Sequence, residues 1–158
     1  MAEMLVRDKS PLTVEAGKRP SERTMEELLE AGVINMDKPM GPTSHQATAW
    51  VRDILHVEKI GHGGTLDPKV SGVLPVATGR AVRSLNLTLK ADKEYICMMR
   101  LHRDKSEEAI RKVMGTFIGR IYQTPPVRSA VKRQLRVRSI HELEVLEISG
   151  RDVLFRVD

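Results

Sequence analysis

Between Gly61 and Leu74 the chain sets a single carboxylate, Asp67, behind three glycines and one histidine (Gly61, His62, Gly63, Gly64) and directly in front of Pro68. Aspartate is ionised at neutral pH, and an ionised carboxylate held on a loop can serve as the nucleophile of covalent catalysis. Three glycines within four residues let the backbone take positive φ and lie close to another surface. Pro68 fixes its own φ, removes one amide donor and pushes Asp67 towards an extended conformation, so the carboxylate is not expected inside a helix. Asp-Pro after a glycine cluster is also ordinary turn chemistry. On local pattern alone, a site and a structural turn are both open.

A second group of residues could bind rather than react. Arg128, Lys132, Arg133, Arg136 and Arg138 put five cations into eleven residues with no acidic residue among them, a composition suited to tracking a phosphate backbone. A solvated basic face is the alternative. Tyr95 is one of only two tyrosines and follows a polar triplet, Asp92-Lys93-Glu94. Trp50 could act as a stacking platform, but its place in an apolar helical stripe predicts core packing.

Other chemistries have no residues to carry them. There is no Gly-Lys-Ser/Thr phosphate loop, and the five histidines lack the close spacing of a metal site, so neither metal nor cofactor is expected. His62 reads as a hydrogen-bonding group. The single cysteine, Cys97, excludes an internal disulfide and every multi-cysteine zinc pattern. No apolar run reaches membrane-spanning length, and Arg7, Asp8 and Lys9 stand where a signal peptide would need an apolar core, so an intracellular protein is expected. With 158 residues, 41% hydrophobic but only 3% aromatic, the chain suits one domain with an aliphatic core. Its formal charge of +5 favours a polyanionic partner.

The elements that must position these residues are legible in outline. Residues 1–23 show no sustained periodicity and read as an arm. Thr24 to Glu27 has capping-box form and opens a short helix that should stop at Gly32. Val33 to Met36 favours a strand, and Asp37 to Pro42 a polar turn. Thr43 to Gln46 is a second capping box, followed by Ala47, Trp50, Val51, Ile54 and Leu55 at helical spacing. Val73 to Val76 reads as a buried strand despite Pro75, and Gly79 to Ala91 as a helix through Val82, Leu85 and Leu89. Tyr95 to Leu101 is a strand. Ser106 caps a helix bearing Ile110, Val113, Met114, Phe117 and Ile118, with Gly119 as its expected end. His141–Ile148 and Asp152–Val157 flank a turn and predict an antiparallel hairpin.

Several motifs in order along the chain resemble the TruB family of RNA pseudouridine synthases, and most closely its archaeal and eukaryotic, dyskerin-like branch. They are Gly32-Val33-Ile34-Asn35-Met36-Asp37-Lys38-Pro39, Gly41-Pro42-Thr43-Ser44-His45, Gly61-His62 with Gly64-Thr65-Leu66-Asp67-Pro68 and Gly72, and Lys93-Glu94-Tyr95. Gln123 to Arg133 and Gly150 to Phe155 extend the match. One departure is Gly63, where members of the branch usually carry Ser.

The resemblance implies an α+β fold, with a mixed, largely antiparallel sheet and flanking helices, in which 24–158 are the N-terminal part of a catalytic domain. It implies Asp67 as nucleophile, attacking C6 of the base or C1′ of the sugar, and Tyr95 and His62 as substrate-binding residues. Gly61, Gly64, Thr65, Leu66 and Pro68 support the loop. Arg128, Lys132, Arg133, Arg136 and Arg138 would contact RNA from a mobile loop. The substrate would be transfer RNA, or ribosomal RNA selected by a guide RNA within an H/ACA particle and its small proteins, in the cytoplasm or, in a eukaryote, the nucleolus. Relatives continue into a Gly-Thr-Tyr-Ile-Arg strand and a PUA domain not found here, so a fragment is expected. The competing expectation is an inactive RNA-binding or assembly module, and a third is a basic α/β domain whose Asp-Pro turn is structural.

Overall fold

The computed structural model describes residues 17–125 and 133–158. The chain forms two compact units, residues 1–91 and 92–158.

In the first unit the capping boxes act as their chemistry predicts. Helix α1 (Met25–Glu30) starts where the Glu27 amide donates to Thr24 Oγ1 at 3.3 Å and the Thr24 amide donates to Glu27 Oε2 at 2.9 Å. Strand β1 (Val33–Lys38) follows and runs two residues further than expected. Helix α2 (Ser44–Leu55) is opened by Thr43 and Gln46 in the same reciprocal way, at 3.1 and 2.8 Å. Strands β2 (Ile60–His62) and β3 (Gly72–Thr78) complete an antiparallel sheet in the order β1-β3-β2. Leu74, Val76 and Ala77 of the central strand are buried, as are Ala47 and Leu85.

The Gly79 to Ala91 segment is not one helix: a 3-10 turn, Gly79–Ser84, leads into helix α3 (Leu85–Lys90). The expectation for Trp50 is overturned. Trp50 is 53% exposed and Ile54 73%, and the buried face of α2 consists of Ser44, Ala47 and Thr48. This helix lies against β2, and small side chains permit that close approach where a stripe of large ones would hold it away.

In the second unit, strands β4 (Tyr95–Arg100), β7 (Leu143–Ser149) and β8 (Asp152–Val157) form an antiparallel sheet in the order β4-β8-β7. The expected terminal hairpin is therefore present, with a bulge at Leu146. Helix α4 (Glu107–Gly115) is capped by Ser106, whose hydroxyl accepts from the Ala109 amide at 3.3 Å. Ile110 and Met114 form the core with Val153 of the central strand and with Met99, Val145 and Phe155. Each such buried side chain contributes about 1.5–3 kcal/mol.

The helix stops four residues before Gly119, and Val113, Phe117 and Ile118 of its predicted stripe are exposed. Gly119, at φ +104°, instead opens strand β5 (Gly119–Gln123), which pairs antiparallel with β6 (Arg136–Ile140). Every ladder among the described residues is antiparallel, so the fold is α+β with flanking helices, as expected.

Candidate active site

The loop around Asp67 begins where β2 meets a proline. The Gly63 amide donates to Pro75 O at 2.7 Å, but Pro75 has no amide with which to answer. The Gly63 carbonyl accepts instead from Thr88 Oγ1 at 3.2 Å. That hydroxyl can approach only because residue 63 is glycine: a Cβ there would stand 2.0 Å from Thr88 Oγ1. Gly61 is similarly close to the chain itself, its would-be Cβ 3.2 Å from Val82 Cγ1. Two of the three glycines thus make room for packing within the first unit, and the lost donor of Pro75 is replaced in part by the Thr88 hydroxyl, whose single hydrogen is shared with the nearer Leu85 carbonyl at 2.8 Å.

Asp67 itself opens a turn, its carbonyl accepting from the Val70 amide at 2.9 Å. Both of its neighbours are tied to the segment just before and at the start of α2. On one side Ser44 Oγ accepts from the Leu66 amide at 2.9 Å and donates to the Leu66 carbonyl at 3.1 Å. On the other side the Gly41 amide donates to Pro68 O at 2.7 Å. Gly41 sits at φ +114°, a conformation open to glycine and strained for other residues.

That segment is held from beneath by Lys38, which is 0% exposed and donates from Nζ to Pro39 O at 2.8 Å and to Pro42 O at 3.1 Å. A charged donor suits this place, because converging carbonyls present partial negative charge and charge-assisted bonds are the stronger kind. The expected polar turn from Asp37 to Pro42 is therefore folded around a buried ammonium.

The Asp67 side chain is exposed, and among the described residues no hydrogen bond or ion pair engages its carboxylate. His62 lies on β2, its Nδ1 hydrogen-bonded to the Gly64 carbonyl. A carbonyl only accepts, so Nδ1 is the donor of this bond. The His62 ring stands edge-on to that of His45, with centroids 4.8 Å apart. Beside this pair runs an open groove lined by His45, Thr48, Arg52 and His62. The first unit therefore gathers Asp67, His62, Gly61, Gly64, Thr65, Leu66 and Pro68 into one loop and its supporting strand.

The remaining predicted residues belong to the second unit. Tyr95 is the first residue of β4, paired with Val157 and exposed. Arg133 is exposed just before β6. Arg136 and Arg138 lie on β6 itself, in register with Gln123 and Ile121 of β5. An ordered strand here corrects the expectation of a loop through to Arg138. The β-branched residues Val137 and Ile140 favour the extended form. Arg128 and Lys132 lie outside the described residues. Among the described residues no group of His, Cys, Asp and Glu is arranged to hold a metal ion, and no helix is long and apolar enough to cross a membrane.

Three positioning residues escaped the reading from sequence: Lys38, Gly41 and Ser44. For Ser44 a signal was present. Thr43 and Ser44 place two hydroxyls at one helix start, where a single one suffices as the cap, so the second was available for another partner.

Comparison with known proteins finds relatives in both sequence and structure. Residues 52–108 match the family model described as TruB family pseudouridylate synthase (N terminal domain), and residues 1–48 match the DKCLD (NUC011) domain. A "Probable tRNA pseudouridine synthase B" of Methanothermobacter thermautotrophicus is 60% identical over 141 residues, 89% of this chain and 44% of the relative. Its counterpart in Pyrococcus abyssi is 56% identical over 156 residues, 98% of this chain and 47% of the relative. Among solved structures, the chain matched in a Cbf5-Nop10-Gar1 complex superimposes with a TM-score of 0.84 at 58% identity, over 89% of this chain and 43% of that one. A chain in an H/ACA RNP bound to a substrate RNA containing 2'-deoxyuridine gives 0.78 at 50% identity, over 90% and 44%. The chain thus spans somewhat less than half the length of these relatives.

Proposed function

The chain belongs to the TruB family of pseudouridylate synthases, in its dyskerin-like branch, and on that premise we propose that it isomerises uridine to pseudouridine in RNA, with Asp67 as the nucleophile. The observation that carries this reading is an exposed carboxylate on a loop whose two flanking residues are both tied down. Such a group is accessible to a large substrate and yet fixed in position. Residues 24–158 supply part of the catalytic domain; of the arm expected over 1–23, residues 1–16 lie outside the described residues.

The reaction breaks the bond between uracil N1 and ribose C1′, joins C5 to C1′, releases the C5 proton to solvent and adds a proton at N1, so the product is an isomer of the substrate. Redox state does not change and no external energy is needed. The Asp67 carboxylate forms the transient covalent bond, at C6 of the base or at C1′ of the sugar, and leaves intact at the end. The target uridine must first leave its stack, at a cost of a few kcal/mol. Tyr95 offers a ring for the extruded base, and His62 holds the nucleotide beside the loop. Arg128, Lys132, Arg133, Arg136 and Arg138 contact phosphates.

The substrate is transfer RNA, or ribosomal RNA chosen by a guide RNA. The names of the relatives support the first, and the H/ACA complexes of the structural neighbours, with Nop10, Gar1 and substrate RNA, support the second. The protein works inside the cell, where these RNAs are made.

The test is tritium release from RNA carrying C5-tritiated uridine, by the parent chain and its Asp67→Asn variant, with and without guide RNA and partner proteins. Release by the parent alone is expected, and dependence on the guide selects between the two substrates. RNA binding without release under any condition would replace this reading with that of a binding or assembly module.

A further inference from the structure

We propose that Ser44 is a positioning residue for pseudouridylation, its hydroxyl setting the peptide plane that precedes Asp67 and thereby aiming the carboxylate; this rests on the assignment of Asp67 as nucleophile. Ser44 is 1% exposed and stands at the first position of α2. It is not needed as the helix cap, because the Thr43 hydroxyl accepts the Gln46 amide. Nor does its hydroxyl bond within its own helix. Instead Oγ engages both polar atoms of Leu66, accepting from the amide at 2.9 Å and donating to the carbonyl at 3.1 Å.

The second of these bonds matters most for chemistry. The Leu66 carbonyl is part of the planar peptide that ends at the Asp67 nitrogen, so fixing that oxygen fixes the orientation of the whole peptide unit. Beyond Asp67, the ring of Pro68 restricts φ and the Gly41 amide holds the Pro68 carbonyl at 2.7 Å. Asp67 is thus the single residue between two restraints. No side chain among the described residues holds its carboxylate, so the backbone restraint acts by fixing the Cα–Cβ direction, which bounds the positions that rotation about χ1 and χ2 can give the carboxylate. Gly41 contributes through its backbone amide, which no substitution except proline removes, although any side chain there would be strained. Ser44 contributes through a side chain that substitution can remove.

A positioning role predicts a loss in the chemical step without a loss of RNA affinity. In the native polypeptide containing these residues, assembled with its RNA and any protein partners, the Ser44→Ala variant should lower the single-turnover rate of tritium release by roughly ten- to a hundredfold, the scale on which misplacement of a reacting group acts. RNA affinity should stay near that of the parent, melting temperature should fall only by the few degrees that unpairing the Leu66 amide and carbonyl implies, and Ser44→Thr, which keeps the hydroxyl, should recover most of the rate. Should Ser44→Ala fail to fold, Ser44→Cys keeps the volume with a much weaker donor, and the same rate loss is expected.

Parental rates in the Ala and Cys variants would overturn the proposal. So would a parallel fall in rate, affinity and melting temperature that Thr does not restore, which is the mark of a structural role alone. Asp67→Asn measured alongside separates the two layers. An inactive Asn variant beside a fully active Ser44→Ala removes only the Ser44 proposal. An active Asn variant, or a parent that releases no tritium, removes the nucleophile assignment and the Ser44 proposal with it.

Discussion

Strand β6 turns the proposed RNA contact into a quantitative expectation. Residues two apart on a strand share a face and lie about 7 Å from one another, so Arg136 and Arg138 project from the same side of the β5–β6 pair. Arg120 pairs with Ser139, and the alternation puts it on the opposite side. Arg138 is exposed and Arg136 half-buried, so Arg138 can make a full phosphate contact and Arg136 a partial one. Each neutralised phosphate on single-stranded RNA adds about 0.7 to the slope of log affinity against log salt. Replacing both arginines with Ala should therefore flatten the slope by about 0.7 to 1.4. Between about 50 and 200 mM salt, the affinity gap between parent and variant should narrow roughly three- to sevenfold. Filter binding across a potassium chloride series reads both quantities, with Arg120→Ala as a single-charge control from the opposite side, compared per charge removed. An unchanged slope in the double variant, or the same change in the Arg120 control, would refute the placement of RNA on this face.

Gly63→Ala would put a methyl group where Thr88 Oγ1 now sits, 2.0 Å away. Losing that hydrogen bond and overpacking the site should together destabilise the chain by about 2–4 kcal/mol in urea denaturation. In a Thr88→Ala background the added penalty should shrink, and an equal penalty in both backgrounds would contradict the contact. Glu27 offers a pH test: the Lys18 ammonium first, and then the Thr24 amide, hold its carboxyl below the ordinary glutamate value. A group lowered on folding contributes stability that is present above its unfolded pKa and is lost as pH falls through the folded value. Glu27→Gln should therefore reduce the acid-side decline in melting temperature, and identical acid limbs would exclude the contribution.

Features set by neighbours in sequence were readable, and those set by distant partners were not. The caps at Thr24, Thr43 and Ser106 involve atoms three residues apart, so type and spacing suffice to place them. The Asp67 loop stood out for the same reason, since glycine and proline act on their own dihedrals. Trp50 failed because helical periodicity identifies stripes of apolar residues but cannot say which face a neighbouring strand will cover. On α2 the covered face is the one with Ser44, Ala47 and Thr48, which allow close approach. Lys38 reads as solvated because lysine nearly always is, and only the folded turn reveals two carbonyls converging on its ammonium. The bond between Ser44 and Leu66 spans 22 residues, so the spare hydroxyl beside Thr43 could signal that a partner exists but not which one. The antiparallel pairing of β5 with β6 across residues 124–135 is equally invisible to local pattern.

The tethering of Leu66 and Pro68 also decides when conformational entropy is lost. Ordering the backbone of a residue costs about 1–2 kcal/mol, so fixing the stretch from Thr65 to Lys69 would cost on the order of 5–10 kcal/mol. Those hydrogen bonds are formed by the chain alone, so that entropy is lost once, on folding, and not again at each encounter with RNA. The free energy of association then remains available for drawing a uridine out of its stack, the costly act required of the substrate.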